Sequence, residues 1–314
     1  MSDNNKVLFG IAAPQSCTRL PLEMEMIQAY VQRAEVLGFH SIWVQEQIGL
    51  WTTVNALEGV SMLSYMAALT RRILLGGAVF LVALRNPIQL AKSLASLDQL
   101  SQGRLIVGVG LGGVRRLYPT YGVSDDRLVA RFNEALSLIQ KLWTEEDLTF
   151  EGQFWKLKNA TLLPRPVQKP HPPIWFGAHV PAALKRAAKY GSGFIGAGSS
   201  STQSFKNEVQ TVLSALEEAK KDPADFTIGK RVYLAVDTNR ERAARRLREF
   251  LGLFYRKPDM ADNVAVWGSP EECADQLDKI VAAGARLLLL SPVFDMMDQL
   301  EILAKEVIPK ISGR

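Results

Sequence analysis

A few short segments of this chain carry residues that could do chemistry. The first, 108–113 (GVGLGG), follows a strand-like run and has the spacing G-x-G-x-x-G. A dinucleotide fingerprint needs that turn to open a helix at once. Here Tyr118, Pro119 and Gly122 come before the next helical segment, so the motif is not read as a Rossmann site. Gly110 and Gly112 leave the backbone bare, which lets a flat ring or a phosphate approach; a tight turn would need the same glycines for its geometry alone. The second segment, 177–181 (GAHVP), ends a strand and opens a helix. A helix N-terminus offers free amides and partial positive charge, so Gly177, Ala178, His179 and Val180 form a candidate anion site. Residues 198–201 (GSSS) can add hydroxyl donors to it, or serve only as helix caps. The remaining segment is Gln45, Glu46 and Gln47, with Trp51 close behind. A carboxylate at the mouth of a strand can act as a base or hold a ligand hydroxyl, and a Trp can wall a pocket. A surface Glu and a core Trp are the alternative reading. The three histidines, His40, His171 and His179, lack ligand spacing, so no metal site is expected, and His40 and His171 read as structural. There is no G-x-S-x-G elbow and no P-loop.

These segments are positioned by a regular alternation. Apolar runs at 7–12, 41–44, 73–80, 105–109, 174–177, 193–197, 228–236 and 286–290 read as strands. Between them lie stretches of helical period, such as 22–37, with Met26, Ile27, Tyr30, Val31, Ala34 and Leu37 on one face and Gly38 at its end. Strands that are apolar throughout are covered on both faces. Eight strand-then-helix units predict an α/β fold, a closed (β/α)8 TIM barrel whose chemistry sits at the C-terminal ends of the strands. The rhythm breaks at about 145–172, where a hairpin and a Pro-rich stretch (163–173, LPRPVQKPHPP) read as an insertion between strand 4/helix 4 and strand 5. The expectation is a single barrel domain over 1–314.

Composition narrows the class. Of 314 residues, 47% are apolar and 22% charged, enough apolar material for a full core, which excludes disorder. No apolar run approaches the ~18 residues that span a bilayer, and the polar start, 1–6, lacks the order of a secretory signal. The expectation is a cytoplasmic protein without membrane contact. Cys17 and Cys273 make neither a CxxC site nor a disulfide framework. The net charge of +5 is mild; the basic run 239–249 (NRERAARRLRE) reads as a solvated helix face, and no nucleic-acid module is present. A weak positive field suits a phosphorylated small ligand.

Six stretches, 37–47 (LGFHSIWVQEQ), 75–87 (LGGAVFLVALRNP), 91–112 (AKSLASLDQLSQGRLIVGVGLG), 131–143 (RFNEALSLIQKLW), 164–177 (PRPVQKPHPPIWFG) and 268–283 (GSPEECADQLDKIVAA), together resemble the bacterial-luciferase-like superfamily, in the same order along the chain. The resemblance implies a (β/α)8 barrel with an insertion and a tricyclic cofactor at its C-terminal mouth. That cofactor is FMN in the luciferase-like monooxygenases and the deazaflavin F420 in the dehydrogenases and reductases; the compact length looks more like the F420 branch. It also implies a bulge in the third strand with a non-prolyl cis peptide behind the ring, matching Ala78–Val79. Gly110 and Gly112 match the loop lining the cofactor, and Gly177, Ala178, His179 and Val180 match the loop whose amides meet its phosphate.

The chain departs from the sugar-phosphate dehydrogenases of that branch. They carry Asp-His where this chain has Glu46-Gln47, and a Glu where it has Gly113, while Trp51 matches a pocket Trp. Gln cannot act as a base at neutral pH, so alcohol dehydrogenation is not carried over. The lysine that meets the substrate phosphate there aligns near Ser200. The expected reaction is hydride transfer from reduced F420 to an activated C=C or C=N acceptor, with Glu46 or Gln47 orienting it, Trp51 packing on it, and water or Tyr118 returning a proton. The alternatives are a two-component monooxygenase using FMNH2 and O2, a barrel that binds flavin or phosphate without catalysis, and a phosphosugar isomerase or aldolase, which lacks an obvious Lys or Glu pair here. The resemblance further implies a homodimer, with a small-molecule substrate and a separate cofactor-reducing enzyme as partners.

Overall fold

In the computed structural model, which describes residues 6–17, 22–46, 54–112 and 115–312, the apolar runs form a closed ring of parallel strands. These are β1 (Leu8–Ala12), β2 (Ser41–Val44), β3 (Leu74–Leu81), β4 (Leu105–Gly110), β5 (Ile174–Gly177), β6 (Gly193–Gly196), β7 (Thr227–Val236) and β8 (Leu287–Pro292). Each pairs with its successor, and β8 closes on β1 with Leu287 opposite Leu8 and Leu289 opposite Gly10. The outer helices are α1 (Met24–Val36), α2 (Gly59–Leu69), α3 (Pro87–Leu100), α4 (Leu128–Thr144), α5 (Pro181–Tyr190), α6 (Thr202–Glu218), α7 (Arg240–Tyr255) and α8 (Pro270–Ala282). This is the expected (β/α)8 barrel. An additional short strand, Val266–Gly268, extends the sheet beside β7.

Local chemistry sets the helix starts. Asn86 caps α3 through the amides of Ile88 and Gln89, with Pro87 at the first turn. Ser269 and Glu272 form a reciprocal capping box on α8. The basic face of α7 is solvated and paired: Arg242 meets Asp237 at 2.5 Å, and Arg248 meets Asp262 at 2.7 Å.

The barrel interior is filled by Trp43, Ile106, Trp175, Ile195, Leu287 and Leu289. The two indoles lie 5.3 Å apart. They fit because neighbouring strands carry no side chain beside them: a Cβ on Gly10 would stand 2.8 Å from the Trp43 ring nitrogen, and one on Gly193 would stand 2.7 Å from the Trp175 ring. The barrel is therefore plugged at this level, and the space for chemistry lies above it, toward the C-terminal ends of the strands.

The insertion is an antiparallel hairpin, Leu148–Glu151 with Lys156–Ala160, followed by the Pro-rich stretch. The hairpin turn is held on α4 by Glu134, whose carboxylate accepts the amides of Gln153, Phe154 and Trp155. The Pro-rich stretch crosses the opposite end of the barrel. There Gln168 donates to buried Asp98 on α3 and to the Leu105 carbonyl at the start of β4. Its prolines thus build the face away from the strand mouths. Among the described residues, no helix is long and apolar enough to cross a membrane.

Candidate active site

The third strand breaks register between Gly77 and Phe80, and the Ala78–Val79 peptide within this bulge is cis. Ala78 packs against the interior Trp cluster and so faces the barrel axis. Val79 reaches sideways along the inner face, toward β4 and β5. A Cβ on Gly110 would stand 2.6 Å from its Cγ2, and one on Gly177 would stand 2.8 Å from its Cγ1. Gly110 and Gly177 therefore supply a slot for Val79. Gly112, at φ +77°, turns the chain under Leu81, where a Cβ would meet Leu81 Cδ2 at 2.7 Å. So these glycines are required by packing on the bulge, not only by a bare approach for a ligand. After them the chain enters a 3-10 turn, Arg115–Tyr121, which is not the immediate helix of a dinucleotide site.

At the end of β5, α5 begins with Pro181, and its N-cap, Val180, makes no side-chain cap bond. Among the described residues, the amides of His179 and Val180 have no protein acceptor. This donor set fits an anion at the helix start. The serines expected to help are committed elsewhere. Ser200 donates to Glu208 at 3.0 Å, and Ser201 caps α6 through the Ser204 amide at 3.1 Å.

The structure gives Glu46 a different task from the one expected. Its side chain is 0% exposed. It accepts from the Leu81 amide and pairs with Arg85, which also reaches Glu58 at 2.5 Å. Burial outweighs these partners and lifts the Glu46 carboxyl above its ordinary range. Glu46 thus ties the end of β2 to the end of the bulged strand, and positions the site without opening onto it. Tyr118 is likewise no free proton source, because it is buried with its hydroxyl donated to the Leu111 carbonyl. Gln47, Trp51 and Gly113 lie outside the described residues. His40 and His171 are structural: the first meets Ser41 Oγ at 3.1 Å, and the second meets the Pro172 carbonyl at 2.8 Å.

Across the mouth, a cavity of about 570 Å³ opens at the ends of β1, β7 and β8. Met26, Tyr233, Phe250, Phe254, Ser291 and Phe294 are among its lining residues. None of the residues expected to bind the cofactor lines it; those residues sit on the β3–β5 side of the same barrel end. Gln15 holds this side in shape. It is buried, donates to the carbonyls of Gln45 and Leu57, and accepts the Gln45 amide. The family model for luciferase-like monooxygenases matches residues 11–287. The chain belongs to this family.

Within the luciferase-like family the chain is similar to enzymes that act with F420. It is 34% identical over 195 residues to an F420-dependent glucose-6-phosphate dehydrogenase of Kineococcus radiotolerans, a match that covers 60% of this chain and 56% of that one. It is 29% identical to the enzyme of the same name from Beutenbergia cavernae over 91% of this chain and 93% of that one. Among solved structures, an F420-dependent secondary alcohol dehydrogenase superposes with a TM-score of 0.85 over 98% of this chain and 99% of that one, at 22% identity, which establishes the shared barrel.

Gln15 and Ser291 fall at strand mouths, just after the runs 7–12 and 286–290, but carry no motif that assigns them a role. Arg231 was missed: it lies in a strand read as an apolar run, and the adjacent cations Lys230 and Arg231 in the middle of that run were the available signal.

Proposed function

We propose that this luciferase-like enzyme is an F420-dependent oxidoreductase that passes hydride from the reduced cofactor to an activated C=C or C=N acceptor. One juxtaposition carries the reading: the bulge that turns Ala78 toward the barrel axis stands two strands from the unpartnered amides at the start of α5. The first suits the face of a flat ring and the second a phosphate, and both lie at the C-terminal end of the strands. When bound, the deazaflavin supplies the hydride. The chain's own work is placement. Glu46 and Arg85 fix the end of β3, Gln15 fixes the end of β1, and the aromatic cavity excludes water around the acceptor.

The names of the relatives favour F420 over FMN. Their sugar-phosphate chemistry is not carried over, because Gln47 and Gly113 stand where the resemblance implies acid–base groups.

Fluorescence titration of the purified chain with F420 and, separately, with FMN tests the cofactor. Micromolar or tighter F420 binding with weak FMN binding is the expected result. Tight FMN binding with no F420 binding, together with oxygen uptake on adding free FMNH2, would move the enzyme to the monooxygenase reading.

A further inference from the structure

Among the described residues, two arginines carry buried guanidinium nitrogens without a hydrogen-bond partner, Arg165 and Arg231; Arg165 lies 3.3 Å from the Glu146 carboxylate, and Arg231 has no such ion pair. Arg104 shows the ordinary solution: it is 9% exposed and donates to Ser101, Thr70, Ile73 and Ala67. Lys230, beside Arg231 in sequence, points the other way, into the helix layer, and donates to the carbonyls of Ala197 and Arg231. Arg231 is 7% exposed, yet its Nε and Nη2 are buried with no hydrogen-bond partner among the described residues. A buried cation without partners is costly, so such a group calls for an explanation.

The sheet register says where this side chain goes. Arg231 stands opposite Leu289, and Tyr233 opposite Ser291. Leu289 belongs to the barrel interior, so Arg231 and Tyr233 face inward, with Arg231 one pleat deeper. Tyr233 and Ser291 line the 570 Å³ cavity, which places Arg231 beneath its floor. The Tyr233 hydroxyl meets the Tyr255 hydroxyl at 2.7 Å. Ser291 Oγ is itself buried and unpartnered. On neighbouring strands, Ser291 in the cavity lining and Arg231 one pleat below it thus both carry buried polar atoms without partners among the described residues, under a pocket that Phe250, Phe254 and Met26 help to line.

We infer that Arg231 and Ser291 form a carboxylate subsite at the base of this cavity, and that the acceptor is an apolar, aromatic-type carboxylic acid. A guanidinium offers two parallel donors that match a carboxylate, and the Ser291 hydroxyl adds one more. The aromatic wall takes the apolar body. The α5 start, on the β5 side of the mouth, remains for the cofactor phosphate. This inference rests on the cavity being the acceptor's place in the proposed oxidoreductase.

The test uses cinnamate and its neutral isostere cinnamamide as probes, with binding to the full chain measured by calorimetry. Cinnamate is expected to bind at least tenfold more tightly than cinnamamide, and Arg231→Met is expected to abolish that preference while F420 binding stays within threefold of wild type. Equal binding of the two probes, or a preference that survives Arg231→Met, overturns the inference. So does an Arg231→Met variant that loses F420 binding but still prefers cinnamate, which would assign the guanidinium to the cofactor. Ser291→Ala has no internal hydrogen bond to lose and gives a second reading: cinnamate affinity should fall at least threefold, and an unchanged affinity counts against the subsite even if Arg231→Met fails to fold. F420 binding without a carboxylate preference would sink this inference alone. An Arg231-dependent preference in a chain that binds neither F420 nor FMN would sink the oxidoreductase reading alone.

Discussion

Val79 occupies the space that Gly110 leaves open: a Cβ on Gly110 would stand 2.6 Å from Val79 Cγ2. No Cβ is tolerated at that distance, so Gly110→Ala must displace either Val79 or β4. Overpacking of this kind costs about 1–3 kcal/mol. Val79→Ala in the same molecule removes the colliding methyls. The double variant is expected to recover at least half of the loss in urea unfolding midpoint, so the cycle returns a favourable coupling. Additive losses would mean that Gly110 is needed for something other than Val79.

A second prediction concerns Glu46, whose carboxylate joins the Leu81 amide to Arg85. Glu46→Ala leaves a buried amide without an acceptor and takes one anion from Arg85, a loss of about 3 kcal/mol. Glu46→Gln keeps an acceptor for Leu81, and Arg85 keeps Glu58, so the loss should stay within about 1 kcal/mol. The alanine variant should also weaken F420 binding by displacing the end of β3, while the glutamine variant binds normally. Equal effects of the two would show that the contact is not a positioning one.

The barrel was legible in the sequence because its strands are buried on both faces and so read as unbroken apolar runs, with helical periods between them. The same property hid Arg231. Inside the run 228–236, Lys230 and Arg231 must point to opposite sides, but only the register with Leu289 tells which of them enters the barrel. Glu46 was correctly placed at a strand mouth, yet its partner Arg85 comes from beyond the next strand, and that long-range contact decides where the carboxylate turns. Tyr118 was misjudged for a local reason: its hydroxyl closes the loop onto Leu111, seven residues earlier in the chain. The glycines at the end of β4 were recognised as special, but their neighbours, Val79 for Gly110 and Leu81 for Gly112, are a tertiary fact.

Lys230 gives a pH prediction. Burial pushes its ammonium down to about 7, against the nearby Glu208 carboxylate, which raises it. In the unfolded chain the amine titrates near 10.4, so above pH ~7 the unfolded state binds more protons than the folded one. Stability should therefore rise as pH increases from about 7 toward 10, and not fall. Lys230→Met paired with Glu208→Gln, which avoids stranding the acid, removes that slope. Urea midpoints at several pH values read the difference, and parallel wild-type and double-variant profiles would refute the assignment.

The last prediction separates the two ends of the barrel. Asp98 is 0% exposed and accepts both the Gln168 amide at 3.0 Å and its side-chain nitrogen at 2.8 Å. These bonds pin the Pro-rich stretch across the face opposite the strand mouths. Asp98→Ala leaves two donors with no acceptor in the interior, which costs about 3 kcal/mol. In barrels of this architecture, stability resides at the N-terminal face and chemistry at the other. The variant should therefore unfold at clearly lower urea while its F420 and cinnamate affinities, measured well below that midpoint, stay within twofold of wild type. A large drop in either affinity would mean that the insertion reaches the site through α4, where Glu134 grips the hairpin turn at the end of the helix nearer the mouth.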